Sequence, residues 1–418
     1  MNVKFSNISR LWPIAKRRLA ACIISFVQST LLREKMVRNV FGTSHKKRVL
    51  LCHLPEAFNG KKRPKYHSNI TECYVVAKCF DRLGYRVDCS SRAKTGIDYS
   101  PYDVVFGING NAFMGSFSAT KEREPLRIFY SVGAHTCFNY QVTSERNRDF
   151  HNRHGLWLLG SNRYMPGDAR NYYEAHFSDA VICLGNEFVR SHFVADDERT
   201  GHYCLLPAFY FPVSTPSKEK DFAACRRNLL WFGSQGLVHK GLDIAIDFAI
   251  AHPEYKLYIC GGSSQETDFW NYYTPLIKEH KNIISCGFVD IESPRFKQIL
   301  DECAILQILD ECAILVNPSI SESGAVAVLN VLGNGALMPV CSEATGIDLS
   351  NVGVTVSQVT YDNFEKALLA VGEMGVEELA AKAWAAHKAV SENYTLERYE
   401  ENMYNILKDI TEKTDDRL

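Results

Sequence analysis

The sequence lacks several features that would each have settled a function class. No Cys-x-x-Cys pair occurs among its 14 cysteines, so neither a zinc site nor a thioredoxin-like redox site is signalled. No strand-like run leads into Gly-x-Gly-x-x-Gly with an acid at the next strand's end, which removes the main sign of a nicotinamide-dependent dehydrogenase. No apolar run reaches the roughly 20 residues needed to cross a bilayer. Net charge is also nearly absent, at −1. Cys52, Cys89, Cys183, Cys260, Cys286 and Cys341 each lie in or beside an apolar run. They read as reduced, core-filling thiols, so a cytoplasmic location is expected.

The charge that is present is uneven. Residues 1–48 carry eleven Lys or Arg against the single acid Glu34, around the apolar stretch Leu19 to Val27. Two readings stay open for this arm: a helix lying on an anionic membrane surface, or an N-terminal helix packed on the body. Its basic residues are not interleaved with aromatics suited to base stacking, so nucleic acid is not an expected partner.

At 418 residues the chain exceeds what one core usually serves. Short apolar runs alternate with amphipathic stretches twice over. They lie at 48–52, 86–89, 103–107, 127–130, 180–184 and 203–206, then at 228–232, 256–260, 282–285, 313–316, 337–341 and 353–356. Such runs are what strands covered on both faces need, with the intervening helices as covers. Helices are expected at about 71–83 and 396–408. Pro212 to Lys220 is polar and Pro-rich and reads as a linker. The expected division is a basic arm (1–46), a Rossmann-like domain (47–212), a second one (221–394) and a terminal helix (395–418) packing back on the first. Residues 298–306 and 307–315 are the same nine residues in tandem. The expectation is that one copy becomes extra helix and loop, leaving the strand near 313–316 in place.

Two segments carry chemistry. Trp231-Phe-Gly-Ser-Gln-Gly-Leu-Val-His-Lys-Gly-Leu-Asp243 is a strand, a glycine turn and a helix start, with Lys240 placed to neutralise a diphosphate. The alternative is a plain strand–loop–helix turn. Asn317-Pro-Ser-Ile-Ser-Glu-Ser-Gly-Ala-Val-Ala-Val-Leu-Asn330 follows another strand, and its single carboxylate, Glu322, suits sugar hydroxyls. The alternative is a helix cap at Ser321.

Together these segments resemble the retaining glycosyltransferases of the GT-B fold. Phe232-x-Ser234, Lys240-Gly241, Pro318-Ser319-Ile-Ser-Glu322 and Gly335-Ala-Leu-Met-Pro339-Val340 match that group's motifs in order and approximate spacing, while Glu343 to Asp348 resembles members acting in bacterial surface-polysaccharide assembly. The resemblance is strong from about 226 to 356. It departs where an Arg is common, at Ser234, and where a second Glu holds the ribose, at Asn330. It implies two facing doubly wound α/β domains and transfer of a sugar from a nucleotide sugar to a glycan or lipid-linked acceptor. Gly233, Ser234, Lys240, Ser321, Glu322, Ser323, Gly324, Ala325 and Asn330 would line the donor site, with Lys240, Glu322 and His135 catalytic. His67, Asn69 and Glu72 would face the acceptor. His135 also reads as a structural histidine. Arg146, Arg153 and Arg163 read as a contact for an anionic acceptor or, for at least two of them, a solvated face. The chain has no Asp-x-Asp metal motif, so no metal or other cofactor is expected, and fixed charge with helix-start N–H groups would stabilise the leaving diphosphate. Alternatives are a catalytically degenerate glycan-binding or scaffold relative, and a GT-B sugar epimerase.

Overall fold

The computed structural model describes residues 35–60, 68–118, 124–158, 160, 163, 170–195, 202–287 and 304–415. Most of the basic arm, His67 and residues 298–303 of the duplication lie outside them.

The first half forms strands β1 (Met36–Val37), β2 (Lys47–His53), β3 (Tyr85–Ser91), β4 (Val104–Gly107), β5 (Leu126–Ser131), β6 (Ala180–Leu184) and β7 (Tyr203–Leu206). They make one sheet in the order β1-β3-β2-β4-β5-β6-β7, parallel except for the antiparallel edge β1. The second half forms β8 (Asn228–Gly233), β9 (Lys256–Gly261), β10 (Ile283–Gly287), β11 (Ile314–Asn317), β12 (Met338–Ser342) and β13 (Val354–Val356). Their order is β10-β9-β8-β11-β12-β13, all parallel, which is the Rossmann order. The strands are buried because they are apolar on both faces; Leu229, Leu230 and Trp231 of β8 are each 0–1% exposed. β11 holds its place after the duplication, with helix Ala304–Glu311 ahead of it.

In each sheet the order reverses beside the first of its parallel strands, between β2 and β4 in one and between β8 and β11 in the other. Loops leaving the carboxyl ends on either side of such a reversal turn away from each other and leave a crevice.

The chain crosses between the domains twice, side by side, with Tyr210 N donating to Tyr394 O at 2.9 Å. The first crossing is fastened down. Asn334 Oδ1 accepts from Val213 N and Ser214 N at 2.7 and 2.8 Å, and Asn334 Nδ2 donates to Phe211 O at 2.8 Å. After the second crossing, helix Leu396–Asp415 lies on helix Ser68–Arg82 of the first domain. Tyr399, Met403 and Leu407 are buried there, Tyr399 Oη is 3.0 Å from Tyr130 Oη, and Lys78 Nζ pairs with Glu400 at 2.7 Å.

Candidate functional site

The reversal in the second sheet brings together the two loops that carry the sequence motifs. Trp231 Nε1 donates to Lys240 O at 3.0 Å, tying the glycine turn to the strand that launches it. Gly241 has φ +66°, and a Cβ there would lie 2.4 Å from Pro318 Cβ and 2.7 Å from Pro318 O. Only glycine permits that contact between the loop after β8 and the loop after β11. His239 completes it: Ile320 N donates to His239 O at 3.0 Å and His239 Nε2 donates to Ser321 O at 2.7 Å. Burial drives the His239 imidazole down to about 4, so the ring is neutral at pH 7.

At the join, Lys240 Nζ is bonded to Glu322 Oε1, and Ser319 Oγ donates to the same oxygen at 3.4 Å. The two side chains are 9% and 13% exposed. Burial alone would raise the Glu322 carboxyl, but Lys240 and then Arg163 outweigh it and hold it at about 2. Arg163 is exposed and lies against the glycine turn, since a Cβ on Gly236 would come within 2.5 Å of its side chain. Arg163 therefore belongs to the electrostatics of this pair.

Five amides of the turn are bonded within the domain. Gly236 N and Leu237 N donate to the Glu266 carboxylate at 2.6 and 2.8 Å, while Lys240 N, Gly241 N and Leu242 N donate to the carbonyls of Gly236, Val238 and Leu237. Buried N–H groups must be paired, and these find partners inside the domain. Of the helix-start N–H groups expected to meet a phosphate here, those of Gly241 and Leu242 are thus occupied, and Lys240 adds side-chain charge beside them. Glu266, between β9 and helix Thr267–Glu279, was not read from the sequence. A lone acid beside a neighbouring glycine turn, Gly261-Gly262, was its only signal.

The small residues of the second loop press against the first domain. Asn139 Nδ2 donates to Ser321 Oγ at 3.1 Å, and Ser323 Oγ donates to Leu184 O at 2.7 Å. Gly324 has φ +65°, and a Cβ on it would lie 2.6 Å from Ala208 Cβ. Ala325 is buried and its carbonyl accepts the first amides of helix Val326–Asn334. On that helix Asn330 Oδ1 accepts from Phe211 N at 2.8 Å, so this oxygen holds the interdomain crossing. Gly233 lies over the Trp231 ring and 3.3 Å, at its Cβ position, from Lys240 Cδ; Ser234 beside it is exposed.

In the first domain His135 precedes helix Thr136–His154, is 5% exposed, and packs edge-on against Phe193 and Tyr172. It stands one turn from Asn139, which reaches the Ser321 loop. Asn69 is exposed in the first turn of helix Ser68–Arg82, whereas Glu72 is 2% exposed and accepts from Tyr130 Oη at 3.1 Å. Arg146 and Arg153 do not form a solvated face, nor do they wait for an anionic acceptor. Both bind Asp243 of the second domain, Arg153 at 2.6 Å, and Arg153 also bonds Asp247. His154 Nε2 adds a 2.9 Å contact to Asp247. A buried acid on one side needs its cations on the other, and domain docking supplies them.

No protein-family description matches the chain, and no curated protein sequence does. Solved structures match. The Anabaena protein Alr3699/HepE, solved with UDP-glucose, superposes with a TM-score of 0.56 at 12% identity over 87% of this chain and 100% of that one. A glycosyltransferase from Rickettsia africae ESF-5 gives 0.53 at 12% identity over 88% and 99%. TarM gives 0.50 at 13% identity over 81% of this chain, which spans 58% of TarM's length. Identities this low establish the fold, two facing Rossmann-like domains of the GT-B kind.

Proposed function

We propose that this GT-B chain is a glycosyltransferase, moving a sugar from a nucleoside-diphosphate sugar to a hydroxyl of a glycan or lipid-linked acceptor, with retention at the anomeric carbon and without a metal. The observation that carries this reading is the buried Lys240–Glu322 pair at the sheet reversal, where two loops 82 residues apart converge. The group to be stabilised is the departing diphosphate. Lys240, with Arg163 beside it, supplies the positive charge, in a site dry enough for that charge to act strongly. An entering diphosphate competes with Glu322 for the ammonium. Glu322, released from Lys240, accepts the hydroxyls of the sugar ring as the anomeric carbon becomes cation-like. HepE was solved with UDP and with UDP-glucose, which supports a uridine donor as the first to be tried.

The basic residues of segment 1–48 would hold the enzyme at an anionic membrane face on the cytoplasmic side, in keeping with a role in surface-polysaccharide assembly. Among the described residues no helix is long and apolar enough to span a membrane.

A second reading, a glycan-binding relative without turnover, is favoured by the Asn330 oxygen tied to the crossing and by Glu266 filling the glycine turn. A panel of uridine, guanosine and adenosine sugar diphosphates separates the two. The transferase reading expects one donor to raise the melting temperature and to be turned over, and expects Lys240→Ala to cut turnover by about 10²- to 10³-fold while still folding. Binding of no donor by the folded protein would favour the second reading.

A further inference from the structure

Two adjoining cavities open between the domains, the first along helix Thr136–His154 and the second along helix Glu187–Val194, and neither is lined by Lys240 or Glu322. The first, about 440 Å³, has Phe138, Phe188 and His192 along one side, with Glu145, Gln358 and Thr360 opposite or beside them. The second, about 410 Å³, carries Glu187, Glu343 and Asp348. Phe188 borders both, so they form one groove, and each has the size of a small-ligand site.

The three rings form a compact half-buried platform. Phe138 and His192 have centroids 3.9 Å apart, Phe188 and His192 4.7 Å, and Phe138 and Phe188 5.6 Å. His192 Nδ1 donates to Phe188 O at 2.7 Å, which fixes the ring's tautomer and orientation. A pyranose ring presents an apolar C–H face and a rim of hydroxyls. Aromatic faces are electron-rich and attract such C–H groups, while carboxylates and amides accept hydroxyl protons. The lining is acidic. Its guanidinium, Arg146, is 1% exposed and committed to Asp149 and Asp243. Glu187 is paired with Arg190 at 2.7 Å, but an anionic polymer would still meet Glu145, Glu343 and Asp348, which are in no ion pair among the described residues. Ile320 and Ala344 form part of the wall, and Glu322 N donates to Ala344 O at 2.9 Å, so the groove runs beside the loop that carries Glu322.

We propose that this groove holds a neutral oligosaccharide, as a chain-gripping site separate from the Lys240–Glu322 pair. Its purpose, keeping the acceptor chain in place, rests on the transferase reading; the binding itself does not.

Saturation-transfer NMR and titration on the full chain, without nucleotide sugar, test it with maltohexaose, cellohexaose and N-acetylchitohexaose. At least one is expected to receive saturation at its ring C–H protons. Phe188→Leu keeps apolar bulk but removes the ring, and is expected to weaken Kd about tenfold with the melting temperature retained. Lys240→Ala is expected to bind as the unaltered protein does, even if all transfer is lost, which keeps this test apart from that of the transferase reading. The proposal is overturned if none of the three hexamers binds, if Phe188→Leu leaves Kd unchanged, if Lys240→Ala abolishes binding, or if a hexagalacturonate binds more tightly than the neutral hexamers.

Discussion

Arg146 and Asp243 meet across the two domains as a buried ion pair, the side chains 1% and 0% exposed. Burial would raise the Asp243 carboxyl, but Arg146 and Arg153 together hold it below the usual range. Arg146→Met leaves a buried carboxylate with only Arg153 to balance it and should cost about 3 kcal/mol, read as a fall in the denaturant midpoint. Arg146→Met with Asp243→Leu should recover much of that loss. Because the folded carboxyl is depressed, its contribution is present above the ordinary Asp range and disappears as pH falls through and below it. The acid limb of a stability–pH curve should therefore flatten in the double variant.

On the proposed function, Glu322 and a diphosphate would compete for the Lys240 ammonium. Glu322→Gln should leave Lys240 available, so the melting-temperature rise caused by free UDP should be larger than in the unaltered protein, while sugar transfer falls. Lys240→Ala should reduce kcat by about 10²- to 10³-fold, the scale of one lost electrostatic contact to a transition state. Equal UDP-induced shifts in Glu322→Gln and the unaltered protein would show that the pair does not gate the donor.

Glu72 is buried in the first domain among His53, Cys73, Tyr130 and Tyr399. Burial pushes its carboxyl up to about 7, against the opposing influence of His53 and the Tyr130 hydrogen bond. A raised folded value means that stability is fully present below about 4.5 and is lost as pH rises through about 7. Glu72→Gln should remove that slope, and at pH 8 it should be the more stable protein by up to about 3 kcal/mol. Parallel melting curves for the two proteins between pH 4.5 and 8 would refute the assignment.

Asn334 fastens the first crossing through both ends of its amide. Asn334→Ala strands a buried carbonyl at Phe211 and half-buried amides at Val213 and Ser214, and should cost about 1–3 kcal/mol. Limited proteolysis should then cut within 207–220 faster than in the unaltered protein, with Asn334→Asp restoring only part of the protection because it lacks the donor to Phe211 O.

Strands β2 to β13 each coincide within two residues of an apolar run, because a strand covered on both faces must be apolar along its length. β1 escaped notice: two residues, Met36 and Val37, at an antiparallel edge carry no such run. The meeting of Lys240 and Glu322 is legible only in part: the sequence shows that both follow strands, but only the fold shows that those strands flank one sheet reversal. The partners of Arg146 and Arg153 were not legible, because Asp243 and Asp247 look like solvated acids on helix Leu242–Ala251 until the other domain covers them. The same holds for Asn330. Its spacing from Glu322 pointed to a ligand, whereas its oxygen satisfies a backbone amide of a crossing whose path only the folded chain defines.

The return of helix Leu396–Asp415 to the first domain has a consequence for biosynthesis. Helix Ser68–Arg82 leaves the ribosome early, yet the groups that cover it, from Tyr399 and Glu400 to Tyr404, are translated hundreds of residues later. The domain begun first is therefore completed last, after the sheet of its neighbour has all its strands available. A nascent chain stalled before residue 396 would carry an uncapped apolar helix face for chaperones to shield.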